Sequence, residues 1–386
     1  MAKPMNQPNA APRRILLVAG EASGDLHGAH LVRALRERAP DVEVWAVAGE
    51  GLKKEGVRVV FDVADIAGMG LTELAGNFKN LWRAYASVKR VLREQKPNLL
   101  VLIDFPDFNM RVAAIAKRLG IPVLYYITPQ VWAWRKRRVK KMARAIDRAA
   151  VVFPFEAAFY ESAGLKAEFV GHPLLDTARA TRPRAETLAR LGLDPAVRTI
   201  ALLPGSRRRE VEYHLPVMLE AAAMLSRESA LQFVLVRAST LGRDDLARRL
   251  AAAPVPVSLS DGDAYNVLEA ADLVWTASGT ATLETALMLR PMVIVYRMSA
   301  TTFALARRLV RVQHIGMANI IAGEKVVPEL IQDDMTAARI AAESRNILDN
   351  REARERMVAR LGQVRARLGE PGAAGRVADI ALGMMR

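Results

Sequence analysis

The sequence predicts an α/β protein of two doubly wound parallel-sheet domains facing each other across a cleft. Three observations predict it. β-rich runs alternate with helical ones from residue 14 to about 172, a proline-containing stretch breaks the rhythm, and the alternation resumes near residue 199. The length agrees, because 386 residues are too many for one ordinary core at about 150 residues per domain.

In the first half, strands are expected at 14–20, 42–49, 57–63, 98–105, 122–128, 148–155 and 166–172, with helices at 25–39, 71–95, 109–119 and 135–147. The stretch HPLLDTARATRPRAETLARLGLDP at 172–195 has three prolines and many polar residues, so the interdomain linker is placed at its start. Strands then follow at 199–206, 231–239, 255–261, 272–278 and 291–297, with helices near 209–228, 243–252 and from 280. Beyond 336 the composition is helical until GEPGAAG at 369–375. The expected division is a loose tail at 1–13, a first Rossmann-like domain at 14–172, a second at 173–360, and a helical tail at 361–386 that returns to the first.

With 51% hydrophobic residues the chain can bury sizeable cores, yet no run reaches the apolar length of a membrane span. The first twelve residues lack the apolar centre of a signal peptide, so a soluble or surface-bound protein is expected. The absence of cysteine excludes disulfides, thiolate metal sites and a cysteine nucleophile, which is compatible with a reducing cytoplasm. A net charge of +15 predicts attraction to nucleic acid, anionic lipid or phosphorylated substrates without choosing among them. RKRRVKKMARAIDR, 135–148, concentrates that charge and reads equally as a solvated helix face or a phosphate- or membrane-facing one.

Polar clusters stand where strands are expected to end, the place where open parallel sheets gather ligands. The first, AGEASGDLHGAH at 19–30, leads from strand to helix through Gly20, Ser23, Gly24 and Asp25. Its glycine spacing is not the dinucleotide fingerprint, which disfavours a hydride-transferring dehydrogenase. Ser23 capping a helix explains part of the cluster and leaves Glu21 and Asp25 without a structural reason. In the second, VLIDFPDFNM at 101–110, Asp104 ends a run that should be buried, so its carboxylate is expected in a partly desolvated loop suited to proton transfer. Helix capping by Asn109 and dipole complementation by Asp107 account for those two.

The third cluster, LLPGSRRRE at 202–210, offers turn amides at Gly205 and Ser206 and the fixed charge of Arg207 to an anion. In the fourth, TASGTATLETA at 276–286, Ser278, Gly279 and Thr280 open a helix whose first amides suit a diphosphate, and Glu284 stands about one turn on to accept from a sugar hydroxyl. Asp263 in DGD reads as a helix cap, the five histidines lack ligand spacing, and neither metal nor cofactor is expected. His172 in GHP is expected to shape the hinge.

AGEASGD, IDFPDFN, QVWAWR, GHPL, LLPGSR, ASGTATLE, PMVIVYR and NIIAG followed by VPELIQ occur in this order over roughly residues 14–380. Their order resembles that of the lipid-A-disaccharide synthases, bacterial glycosyltransferases of lipopolysaccharide assembly. One departure is GMANIIAG, where Met317 and Ala318 stand in place of the family's usual Leu-Pro and Asn319 is kept. The resemblance implies a GT-B fold, with the donor nucleotide held mainly by the C-terminal domain and the acceptor by the N-terminal one. It implies an inverting transfer from UDP-2,3-diacylglucosamine to 2,3-diacylglucosamine 1-phosphate, giving a β-1,6 tetraacyl disaccharide 1-phosphate and UDP.

On that reading Gly205, Ser206, Arg207, Ser278, Gly279, Thr280, Glu284 and Asn319 bind the donor, and Glu21, Ser23, Asp107 and Asn109 the acceptor. Asp104 is the preferred general base and Asp25 its competitor. Acylated substrates imply a protein peripheral to the anionic cytoplasmic face of the inner membrane. In 65–85, Ile66, Met69 and Leu71 begin an apolar stripe that reads equally as core or as a docking patch. A homodimer stays open, and no nucleic-acid partner is expected. The rivals are a UDP-sugar epimerase of the same fold and a basic nucleic-acid-binding protein, the latter without any reader motif.

Overall fold

The computed structural model describes residues 13–67, 74–134, 138–309 and 313–385. Two compact units form: one runs to Pro173 and regains the chain at Glu370, and the other is Leu174–Gly369.

The first unit is built on strands β1 (Arg14–Ala19), β2 (Glu43–Ala48), β3 (Arg58–Asp62), β4 (Leu99–Ile103), β5 (Val123–Tyr126), β6 (Arg148–Val151) and β7 (Ala167–Phe169). They pair in parallel in the order β3-β2-β1-β4-β5-β6-β7, so strand growth reverses direction between β1 and β4. Residues Ile15–Ala19 and Leu99–Ile103 are fully buried, as strands covered by helices on both faces must be. The helix Pro106–Arg118 starts with proline at N1, where the missing N–H costs nothing, and turns Val112, Ala113 and Ala116 onto Leu100 and Leu102. The C-terminal helix Ala373–Met384 is tied to the helix Ala22–Arg38 by the Arg38–Asp379 ion pair at 2.7 Å.

The second unit has β8 (Arg198–Leu203), β9 (Leu231–Arg237), β10 (Val257–Asp261), β11 (Leu273–Ala277), β12 (Met292–Tyr296) and β13 (Glu329–Ile331), in the parallel order β10-β9-β8-β11-β12-β13. Here the reversal lies between β8 and β11.

Some expectations shift. The run 148–155 is a strand only to Val151, because Pro154 opens the helix Pro154–Glu161 and Glu156 reaches back to the backbone N–H of Phe153. The short β13 carries too few residues to show a pattern. No break falls at 361: Arg351–Arg367 is one helix with Met357, Leu361 and Val364 buried, and the chain leaves the second unit through Gly369 and Gly372 instead. Neither Ser23 nor Asn109 is a helix cap. The caps are Glu21 and Phe105, and both residues lie inside their helices. Asp263 does sit at the N-cap of the helix Ala264–Ala270, but its carboxylate pairs with Arg182 and accepts from Asn266.

Met69 and Leu71 lie outside the described residues, as does the side chain of Ile66. Farther along the stripe, Leu81 packs against the core while Trp82 is 65% exposed. No helix among the described residues is long and apolar enough to cross a membrane.

Candidate active site and nucleotide pocket

In the first unit the reversal between β1 and β4 carries backbone strain. Asp104 and Phe105 are consecutive non-glycine residues in the left-handed region, with φ of 47° and 50°. Such a turn persists only if its surroundings hold it. Asn109, fully buried on the next helix, donates to the carbonyls of Ile103 at 3.2 Å and Asp104 at 2.6 Å. The Tyr125 hydroxyl donates to the same Asp104 carbonyl at 2.6 Å. The Phe105 ring stacks on Phe108 and covers Gly20 so closely that a Cβ there would lie 2.2 Å from it. The AGEASGD glycine and the IDFPDFN turn are therefore one packed unit.

This leaves the Asp104 side chain half-buried at the strand end. Burial raises its pKa above the ordinary carboxylate range, partly offset by a bond from the Phe105 N–H. Asp107 stands exposed in the first turn of the helix and pairs with Arg138 at 2.9 Å. Glu21 and Ser23 are exposed at the start of the helix Ala22–Arg38.

Asp25 has a different environment. It is 6% exposed, and its Oδ1 accepts from the N–H groups of Gly49 at 2.7 Å and Leu52 at 3.2 Å, its Oδ2 from Gly51 at 2.6 Å. The carboxylate thus caps the helix Glu50–Lys54 from another helix and pins the β2 loop to it.

In the second unit a cavity of about 380 Å³ opens at the carboxyl ends of β8, β9 and β11, at the reversal of strand order. Gly205, Ser206, Arg207, Ser278, Gly279, Thr280 and Glu284 all line it. The helix Thr280–Leu287 points its first turn there; Thr282 N donates to the Gly279 carbonyl at 3.1 Å, and the N–H groups of Thr280 and Ala281 have no intrahelical acceptor. Ser278 donates its hydroxyl to the Ile315 carbonyl at 2.8 Å, which fixes the loop at the cavity wall. Glu284 is half-buried, and burial raises its pKa while a hydrogen bond from Tyr265 lowers it.

The turn at Gly205 and Ser206 differs from expectation. Its amides are not open: Glu210 Oε2 accepts from Ser206 N at 2.9 Å and Arg207 N at 3.3 Å. Gly205, at φ 123°, must be glycine because a Cβ would lie 2.4 Å from that same oxygen. Buried His214 donates from Nδ1 to the Pro204 carbonyl at 2.7 Å and accepts from Arg297 N at 2.9 Å, a neutral tautomer consistent with a pKa lowered by burial. What this turn offers an anion is the Arg207 guanidinium, 82% exposed.

Asn319 is fully buried with its amide fully used. Oδ1 accepts from Val326 N and Val327 N, and Nδ2 donates to the Val327 carbonyl and Glu329. It lies within the helix Met317–Ala322 and ties the loop at Val326 and Val327 to that helix, away from the cavity wall.

A family model described as lipid-A-disaccharide synthetase matches residues 15–372. The chain belongs to this family. It is 49% identical over 377 residues to the lipid-A-disaccharide synthase of Geobacter metallireducens, covering 97% of this chain and 98% of that one. The activity is that of a lipid-A-disaccharide synthase, a glycosyltransferase of lipid A biosynthesis. Among solved structures, a putative UDP-N-acetylglucosamine 2-epimerase from Listeria monocytogenes is similar at TM-score 0.66 and 16% identity, over 95% of both chains. A calicheamicin glycosyltransferase is similar at TM-score 0.61 and 17% identity, over 97% of this chain and 99% of that one. These likenesses establish the GT-B fold with its two Rossmann-like units. The epimerase reading, which shares only the fold at such identity, is not favoured.

Three polar side chains that hold these loops and helices are not among the residues the sequence singled out. Glu210 was legible, since a glutamate three residues after a helix cap reaches back to the cap's N–H. Glu156 follows the same rule after Phe153; it is fully buried, accepts from Trp132 Nε1 at 3.0 Å, and burial raises its pKa to about 7. Tyr265 had no local signal, because its partner Glu284 is on a different helix.

Proposed function

We propose that the chain transfers 2,3-diacylglucosamine from its UDP derivative to 2,3-diacylglucosamine 1-phosphate, with inversion at the anomeric carbon. The observation that carries this reading is the strained turn that holds a half-buried Asp104 carboxylate at the β4 end. Asp104 takes the proton of the acceptor hydroxyl as that oxygen bonds to the anomeric carbon. The bond from that carbon to the diphosphate oxygen breaks, and UDP leaves with the electron pair. The leaving charge is met by the N-terminal turn of the helix Thr280–Leu287 and by Arg207. Exposed Asp107, Glu21 and Ser23 serve as acceptor contacts. Asn109 serves the acceptor side by holding the Asp104 turn, and Asn319 serves the donor side by holding its loop. Incubating the protein with both acylated glucosamine substrates, with product mass and UDP release measured, tests the reaction; absence of the tetraacyl product refutes it.

Arg207→Ala and Glu284→Ala are each expected to weaken UDP binding about tenfold, by losing a charge-assisted contact to the diphosphate and to the ribose respectively. Calorimetric titration of the folded variants reads this. Unchanged affinity in both would move the donor elsewhere.

The protein works at the anionic cytoplasmic face of the inner membrane, to which its +15 charge and the outward ring of Trp82 would bind. Replacing Ile66, Met69, Leu71 and Trp82 by serine should reduce sedimentation with anionic vesicles and leave thermal stability unchanged. A variant that unfolds would make the stripe part of the core.

A further inference from the structure

We propose that Tyr265 is a positioning residue of the nucleotide pocket, holding Glu284 as an ionised, oriented acceptor for a ribose hydroxyl of a nucleoside diphosphate. The inference rests on reading the cavity of the second unit as the donor site. Tyr265 Oη donates to Glu284 Oε1 at 2.9 Å. Glu284 lines the cavity, and Tyr265 stands behind it, its helix neighbour Ala264 being the residue on the wall.

The chemistry of the pair is directional. An ionised carboxylate only accepts, so once Tyr265 engages one oxygen the other remains for a donor from the cavity. No lysine or arginine among the described residues forms an ion pair with Glu284. A half-buried carboxylate with one neutral partner is costly to keep charged, and burial raises its pKa while the tyrosine bond lowers it. Removing the hydroxyl should therefore weaken the carboxylate both as a charge and as an aimed acceptor.

Tyr265 is itself held in place. The helix that carries it is fastened at its start, where Asn266 Oδ1 accepts from Thr181 N at 2.8 Å and Arg182 N at 2.9 Å, and Asn266 Nδ2 donates to Asp263 at 2.6 Å. Arg182 in turn pairs with Asp263. The residues that open the second unit thus fix the helix, the helix fixes the tyrosine, and the tyrosine fixes the glutamate.

The test compares UDP with its 2′-deoxy and 3′-deoxy analogues by calorimetry on the full chain, for wild type, Tyr265→Phe, Glu284→Gln and the double variant. Wild type should prefer UDP to at least one deoxy analogue by about tenfold. Tyr265→Phe should lose about three- to tenfold in UDP affinity and leave that analogue nearly unaffected. The double variant should be no weaker than Glu284→Gln alone, because both act through one contact. In turnover, KM for the donor should rise with kcat retained. Tyr265→Leu, which also lacks the hydroxyl, gives the same reading if the phenylalanine variant does not fold.

The inference is overturned if Tyr265→Phe keeps the full ribose preference, or if its loss is equal for all three nucleotides and adds to that of Glu284→Gln. Wild type that binds no UDP would instead remove the donor-site reading beneath it. Ribose preference lost in Glu284→Gln and kept in Tyr265→Phe would remove this inference alone.

Discussion

Asp104→Asn is expected to lower turnover by about two to four orders of magnitude, the range for losing acid–base assistance, with UDP affinity close to wild type. The substitution isolates chemistry from fold for a specific reason. Asp104 has φ of 47°, and asparagine is among the few residues that tolerate the left-handed region, so the turn survives the change. The contacts that hold the turn go to the backbone carbonyl of Asp104, which the variant keeps.

Stability should not fall. The folded pKa of Asp104 is raised, so folding disfavours its ionised form, and that cost grows as pH rises from the unfolded value through the folded one. Asparagine removes the cost at neutral pH. Activity should depend on pH in a related way. A base works only when deprotonated, so wild-type kcat/KM should fall as pH drops through an apparent pKa above the ordinary aspartate value of about 3.9. The residual activity of the variant should lack that limb. Near-normal turnover by Asp104→Asn on soluble substrate analogues would reduce Asp104 to an acceptor-positioning residue.

The two sheets were legible because buried parallel strands leave short apolar runs, and those runs fell where the strands are. The ends of the strands were not, because apolar residues continue past the last ladder bond: 98–105 is a strand only over Leu99–Ile103, and the next two residues are the strained turn. Asp104 stood out as a carboxylate at the end of a run that should be buried. That Asn109 serves this turn, and not the helix start, depends on where Pro106 begins the helix. The second unit shows the same limit. Arg207 and Glu284 were visible as chemistry, and both line one cavity. The engagement of the Ser206 and Arg207 amides by Glu210 follows from its spacing after the helix cap, whereas the bond between Tyr265 and Glu284 depends on side-chain direction. Pairing between helices that are distant in sequence leaves no trace in local pattern.

Asp25 carries the second large expectation, opposite in kind. Asp25→Asn should cost about 2–4 kcal/mol of folding stability, read as a melting temperature lower by about 5–15 °C, while kcat per folded molecule stays near wild type. Both carboxylate oxygens accept backbone N–H groups, Oδ1 from Gly49 and Leu52 and Oδ2 from Gly51. An amide has only one accepting oxygen, so in either orientation its NH2 group must face a donor in a site that is 6% exposed. The helix Glu50–Lys54 would also lose the negative charge at its N-terminus. Both of its oxygens are engaged by backbone amides, which assigns the carboxylate to holding the loop. The two variants therefore carry contrasting signatures: Asp104→Asn keeps its melting temperature and loses kcat, and Asp25→Asn loses melting temperature and keeps kcat. Thermal melts and single-turnover rates measured below both transitions separate them. An Asp25→Asn protein with wild-type melting and no turnover, beside an active Asp104→Asn, would pass the role of base to Asp25.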